Sequence, residues 1–382
     1  MASIARAFYR QPAFLPHRLL RKLGIEAFWA QNAIVTASIA VLLTIGAWID
    51  GSFFIRGGYG YLQHPGVAGW YLVQVFMPLA IYRLLTTAAN AEKHYRELLP
   101  SGDAFNFDDK ILQPLTRFIA LRTAASRTVF ALLFTIGFAG FAWNTFQNLA
   151  PGRLAPLDFW DSIHYPFGYA FSRVHKCYLD ALLLPSLVHI FVAIVWTNIR
   201  ALCGLNAAGR LHLAPFNVDR CGGFGFLSDL ILAPTISALL VSALAFVGVV
   251  YTHRAFDTST VGGVAIQTAI LVTFYMLPTF VLRSLIVQTK RRAARDVSRR
   301  QQEYYEAILA GSLHGDALRE AHEYLRYFTE ACSAIGRVPE WPHLMKASSA
   351  FGISISPAIL SSLVSVAKTL WALYPKLHPS LP

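Results

Sequence analysis

Six long apolar stretches run through this chain, and a lipid bilayer is the environment that accommodates them. They are Phe28–Ile49, Gly66–Thr87, Thr128–Gln147, Tyr178–Cys203, Leu227–Tyr251 and Val264–Gln288. At about 1.5 Å rise per residue, some 20–26 residues cover the roughly 30 Å hydrocarbon core with a modest tilt. No water reaches that core, so backbone amides must bond within their own segment, which predicts helices. The sequence therefore predicts an all-α protein, an integral membrane bundle of six transmembrane helices with a helical cytoplasmic C-terminal region. The expected layout is 1–27 as a cytoplasmic amphipathic segment, 28–288 as the transmembrane domain and 289–382 as the cytoplasmic tail.

Charge supports this and orients it. Only 14% of residues are charged, and a mean hydropathy of +0.45 excludes an ordinary soluble domain of 382 residues. The net charge of +12 is unevenly placed. With a cytoplasmic N-terminus, the inner segments hold 28 of the 33 Lys and Arg, and the outer loops hold Arg56, Arg153, Arg173, Lys176 and Arg254. That asymmetry places both termini in the cytoplasm. Contact with anionic headgroups explains these bases better than nucleic acid does, so no nucleic-acid partner is expected. The first apolar stretch follows an Arg-rich segment, has full transmembrane length and lacks an A-x-A-like end, so it reads as an anchor and not a cleaved leader. The cysteines Cys177, Cys203, Cys221 and Cys332 form no C-x-x-C pair, which argues against a disulfide framework and a thiolate zinc site.

Between the spans the chain carries distinct segments. Met1–Ala27 sets Phe8, Phe14, Leu19 and Leu20 against Arg10, Arg18, Arg21 and Lys22, which predicts an interfacial helix broken by Pro12 and Pro16. The second outer loop, Asn148–Cys177, holds Phe159, Trp160, Tyr165, Phe167, Tyr169 and Phe171. Such residues mark a headgroup belt or, alternatively, a re-entrant loop. No Pro or Gly occurs from Thr289 to Ala310, so the sixth helix is expected to run out into the cytoplasm with its bases as a collar. A second cytoplasmic helix is expected over Asp316–Ile335, and an amphipathic helix over Pro357–Leu373 reads as interfacial or as a seventh span.

Few residues in the spans offer chemistry. Pro78, Pro185, Pro234 and Pro278 each remove an amide donor, and the freed carbonyls suit either shape alone or a gated path. His189 falls near the middle of the fourth stretch, one turn beyond Pro185, where an ionisable group is a functional candidate or a packed core histidine. Asp180 falls at the outer end of that stretch. Asp229 opens the fifth and is expected to pair with Arg83, Arg200 or Arg283. No H-E-x-x-H, G-x-S-x-G or Walker A motif is present, so neither a cofactor nor a metal is implied.

The densest local motif is N-V-D-R-C-G-G-F-G-F-L, Asn217 to Leu227. Gly222, Gly223 and Gly225 permit positive φ, and Asp219 is placed to cap or to pair with Arg220. Free amides leading into a helix suit an anion, and a tight elbow onto the bundle is the plainer reading. The motif resembles a D-R-x-G-G-x-G-F-L element that precedes a transmembrane helix in a group of uncharacterised bacterial multi-pass proteins, over Tyr178 to the end. The resemblance rests on Asp219, Arg220, Gly222, Gly223, Gly225, Phe226 and Leu227. It implies a bacterial inner-membrane protein and transfers no catalytic role.

The functional expectation is a channel or transporter-like protein, homo-oligomeric, moving ions or a small solute. The alternative is a membrane-anchored signalling or interaction protein with a cytoplasmic protein partner, or a membrane-disrupting effector of the kind used in phage defence. An intramembrane enzyme using His189, Asp180 or the elbow is a third.

Overall fold

The computed structural model describes residues 2–56, 58, 60–100, 105–149, 159–214, 216, 222–227, 229–230 and 258–340. Those residues are helical, with no β-strand among them. Most of the fifth predicted span, the helix predicted over Pro357–Leu373, Asp219, Arg220, Cys221 and Pro234 lie outside the described residues.

The chain opens with α1 (Ala2–Phe8), a 3-10 turn (Pro12–Phe14) and α2 (Leu15–Lys22). Next come two apolar helices, α3 (Phe28–Ile49) and α4 (Pro65–Ala89). A short α5 (Glu92–Glu97), a π-helical turn (Asp108–Leu112) and α6 (Gln113–Ile119) lead into α7 (Ala124–Leu149). The helix α8 (Pro166–Cys177) continues through a π-helical stretch (Tyr178–Leu183) into α9 (Leu184–Ala207). The last described elements are α10 (Thr258–Leu309) and α11 (Asp316–Arg337).

Among the described residues, four helical segments are long and apolar enough to cross a membrane: Phe28–Ile49, Gly69–Ala89, Ala124–Trp143 and Pro166–Ala207. Their outward faces are as greasy as a core. Trp29, Val41 and Trp48 of α3, and Leu132, Ile136, Trp143 and Phe146 of α7, are exposed. Water would penalise such continuous apolar faces, whereas lipid tails would not.

Small residues let these helices approach. At Gly46 the backbone of α3 comes against Phe167 and Phe171 of α8, where any added side chain would collide. Gly137 of α7 likewise crosses the π-helical stretch at the Asp180 carbonyl and the Pro185 ring. This is the close packing by which helices associate in lipid, where burial of apolar area offers little drive. The widened stretch sits one turn before Pro185, whose ring would crowd the carbonyl four residues back in a regular α-helix. By contrast, α4 passes through Pro78 and α10 through Pro278 without a break. Beside Pro78, the Asn32 amide donates to the Val75 carbonyl at 3.0 Å.

The bundle has two unlike ends. At the distal end, Asp50 at the end of α3 accepts from the Gly168 amide at 2.6 Å, and Tyr61, Val67 and Trp160 pack against Leu43 and Ala47. At the proximal end, the chain start and α5–α6 form a helical layer on α9. Phe8, Phe14, Tyr95, Leu98, Ile111, Leu115 and Ile119 join Leu187, Ile190, Ile194 and Leu205 in one core. This corrects the expected interfacial placement for Phe8 and Phe14, which are 0% exposed and stack on each other, buried in protein, whereas Leu19 of α2 is exposed.

The C-terminal part of α10 runs unbroken to Leu309. Gly311 and Gly315 then take positive φ of 63° and 57°, turning the chain back into α11. Tyr304, Tyr324 and Phe328 clasp this hairpin. Its base is pinned where the Lys290 ammonium donates to the Gly336 and Val338 carbonyls, both at 2.9 Å. Arg292 donates to the Asn206 carbonyl near the end of α9 at 3.3 Å. Cationic donors at helix ends satisfy orphan carbonyls, so part of the predicted basic collar is spent on capping.

Candidate functional site

Polar side chains are costly inside an apolar bundle, so those that persist locate the site. The structure sets them in two groups.

The distal group was not legible as a group from the sequence. Asp161 lies in the loop before α8, whose Trp160 neighbour is 0% exposed and carries it inward. From α8, the Arg173 guanidinium donates to the Asp161 carboxylate at 3.2 Å and the Lys176 ammonium donates at 2.8 Å. Arg173 and Asp161 side chains are each 9% exposed, Lys176 17%. Lys176 also stands 4.5 Å over the Trp70 ring of α4. Burial would raise the Asp161 carboxyl, but Lys176, His64 and Arg173 outweigh it and hold it below the ordinary carboxylate range. Asp180, two residues past the start of the π-helical stretch, faces Lys176 and Arg173 electrostatically. Two acids therefore oppose two bases in one buried cluster.

One residue before Lys176, His175 is 3% exposed and its Nε2 lies 2.8 Å from the Gln74 Oε1 of α4. Its Nδ1 and the Gln74 Nε2 have no partner among the described residues. Gly168 marks the end of α3, so His175 lies seven residues inward, about 10 Å along the helix axis. This places a titratable group deep among α3, α4 and α8. The helix begins at Pro166, twelve residues before the predicted Tyr178, so Arg173 and Lys176 belong to its buried face and not to an outer loop. Phe159 and Trp160 are likewise buried, 4% and 0% exposed, so they pack within protein and not at a headgroup belt.

The proximal group contains His189, 0% exposed. The Gln11 amide donates to the Ile119 carbonyl and reaches the His189 Nδ1 at 3.1 Å, and Phe118 and Phe130 flank the ring. His189 also contacts the backbone of Ser126, at the start of α7. It therefore sits beside the proximal end of α7 and not opposite its middle, and its partner is Gln11 and not a carbonyl freed by Pro185. These two findings correct its expected place. The reason is that α8 to α9 runs 42 residues, and its last part is covered by protein. Nearby, His17 Nε2 lies 3.2 Å from the Asn32 Oδ1, and the Tyr9 hydroxyl donates to Gln31 at 2.9 Å. Burial pushes the His17 imidazole down, with the Asn32 bond opposing.

No family model, curated protein or solved structure matches this chain. Its chemistry must be read from the groups themselves.

The remaining predicted residues do not converge on His189. Pro185 lies one turn from it, in contact with Gly137. Pro278 is buried in α10, and Arg283 faces Glu340 at 3.7 Å. The adjacent Leu282 and Leu285 pack beside Ile194, Asn198 and Leu202, proximal to His189. Asp229 is exposed. At the elbow, Gly222 and Gly223 take φ of 67° and 91°, and the Ala214 amide donates to the Gly222 carbonyl at 3.2 Å. Phe224 is 0% exposed, and Phe226 stacks on His94 and meets Tyr95 edge-on. This part of the motif is a turn folded onto α5.

The two groups are joined through neighbouring residues of α4. His17 meets Asn32, whose amide donates to the Val75 carbonyl, and Gln74 meets His175, beside Lys176 and Asp161. Three polar pairs thus lie in succession from α2 to the distal loop, joined through adjacent backbone positions of α4 and α8.

Proposed function

We propose that this chain is a multi-pass membrane protein of the channel or transporter type, carrying ions or a small polar solute. The observation that carries this reading is the buried row His17, Asn32, Gln74, His175, Lys176 and Asp161 inside a bundle with lipid-type outer faces. Ionisable groups in such a place cost several kcal/mol unless they serve a pathway or hold one another. His175 Nδ1 and Gln74 Nε2 have no partner among the described residues, as is also true of His189 Nε2 and Gln11 Oε1, so the choice of the row rests on its buried charges at Lys176 and Asp161. In this reading the row replaces His189 as the element that handles the permeant species, and His189 with Gln11 locks the proximal layer to the bundle. The proximal end is cytoplasmic, six helices cross a bacterial inner membrane, and copies of the chain assemble together.

The test is reconstitution of the full chain into liposomes loaded with a pH-sensitive or ion-sensitive dye. Flux that falls at least tenfold in His175→Ala and in Gln74→Leu, with folding retained, supports the reading. A tight bilayer at high protein load removes it.

A second reading rests on the α10–α11 hairpin, which exposes Tyr305, Leu309, Tyr324 and Tyr327. Such an aromatic surface suits a protein partner, as in an anchored signalling or effector protein. Co-purification of a partner that is lost in Tyr305→Ser/Tyr327→Ser would favour it.

A further inference from the structure

A cleft of about 630 Å³ opens at the proximal end between the π turn with α6, the start of α7 and the far part of α9. Its lining mixes apolar Phe105, Phe118, Trp196 and Leu205 with basic Lys110, Arg117, Arg200 and Arg210. Asp109 is its acidic residue, but that carboxylate is already occupied. The Asn106 amide donates to one oxygen at 2.7 Å, and the Gln113 amide donates to the other at 2.6 Å. Arg117 in turn donates to the Gln113 carbonyl oxygen at 3.3 Å. Amides thus hold the acid, and Lys110, Arg117 and Arg200 form no ion pair among the described residues. The cleft begins at Thr123 and Ala125, where the apolar α7 starts, and Trp196 is 56% exposed at its wall. A basic recess beside the start of a lipid-facing apolar helix, with Trp196 and Phe118 in its lining, matches an amphiphilic anion in charge and size.

We infer that this cleft binds the phosphate headgroup of an anionic phospholipid from the cytoplasmic leaflet, held by Lys110, Arg117 and Arg200 with its first acyl carbons along Trp196 and Phe118. The inference rests on the membrane reading and not on conduction. A protein that moves nothing would still hold the lipid, and one that conducts would still conduct without it.

The test uses the full chain purified in detergent, incubated with equimolar phosphatidylglycerol and phosphatidylcholine, and weighed intact by native mass spectrometry. Bound phosphatidylglycerol is expected to exceed phosphatidylcholine at least tenfold. It should fall about tenfold in Lys110→Gln/Arg117→Gln/Arg200→Gln, and stay unchanged in a control triple of equal charge loss, Arg319→Gln/Arg326→Gln/Arg337→Gln. Circular dichroism and the unfolding midpoint show that both variants are folded. Equal loss in the two triples would overturn the site, as would retention by the cleft variant. Displacement of the lipid by millimolar glycerol 3-phosphate would overturn the lipid source in favour of a soluble phosphate.

Discussion

Replacing Asp161 by Asn tests whether the distal cluster is one electrostatic unit. The carboxylate accepts from Lys176 at 2.8 Å and from Arg173 at 3.2 Å, with all three side chains largely withdrawn from solvent. At an effective dielectric of about 20, the gross attraction to the two bases is roughly 6 and 5 kcal/mol. Desolvation offsets most of it, so the net worth of the intact cluster is small. Removing the acid is different, because two buried cations then face each other with only the more distant Asp180 carboxyl to offset them. Measured losses for breaking such a pair are about 3–5 kcal/mol, and Asp161→Asn is expected to fall in that range. Lys176→Met leaves Arg173 on the carboxylate and should cost less, about 1–3 kcal/mol. The double variant should cost less than the two losses added, since the second change relieves the repulsion created by the first. The assay is a denaturant titration of the full chain in mild detergent, followed by tryptophan fluorescence. Raising salt from about 0.1 to 1 M should move these differences little, as buried charges are poorly screened. A loss below about 1 kcal/mol for Asp161→Asn, or simple additivity in the double variant, would refute the argument.

Four further outcomes follow from the same contacts. Gly137→Ala drives a methyl into the Asp180 carbonyl and the Pro185 ring and should cost about 1–3 kcal/mol, whereas Gly140→Ala, with open space around it, should stay within about 0.5 kcal/mol; thermal melts compare them. Gln11→Ala strips the donor from His189 and from the Ile119 carbonyl, so the unfolding free energy should drop by about 1–3 kcal/mol and the N-terminal segment should become sensitive to protease. Gly222→Ala places an L side chain at φ 67° against Leu213 and should destabilise by at least about 1 kcal/mol. The pH dependence follows from His17. Its folded value lies below the ordinary 6.5, so as pH falls under 6.5 the unfolded chain takes up a proton that the folded chain refuses, and stability declines. Above that pH the group is neutral in both states and contributes no slope. His17→Gln should flatten the decline between pH 6.5 and 5 by up to about 1.4 kcal/mol per pH unit, and an unchanged slope would count against a buried neutral imidazole.

What the sequence revealed depended on whether each neighbourhood was built from local or distant residues. Phe28–Ile49 is a helix over its whole predicted length, because a continuous apolar run with no internal charge leaves the backbone one option. The start of α8 was hidden by Arg173 and Lys176, which end an apolar run when counted singly. Nothing local signals that Asp161, in a loop, returns to neutralise them. The depth of His189 was misread for a related reason. Its apolar stretch was measured against a bilayer, whereas its second half is apolar because α4, α6, α7 and α10 cover it. Phe8 and Phe14 looked interfacial since amphipathicity reports one greasy face and not what covers it. Positive φ at Gly222 and Gly223 was legible because few other residues accept that geometry. Gln74 and His175 left no trace, being ordinary residues on two helices whose meeting the chain order does not announce.

The length of α10 has a mechanical corollary. An α-helix of 52 residues is a rod of about 78 Å, and Pro278 is a point at which such a rod bends most readily. Leu309 lies about 46 Å beyond that point, so a tilt of about 10° there sweeps the far end through about 8 Å. The fastenings from Lys290 to Gly336 and Val338 make α11 travel with it as a single arm. Small rearrangements among the greasy helices are thereby magnified at the tip of the hairpin, and a force applied at that tip is returned to the bundle with the same leverage.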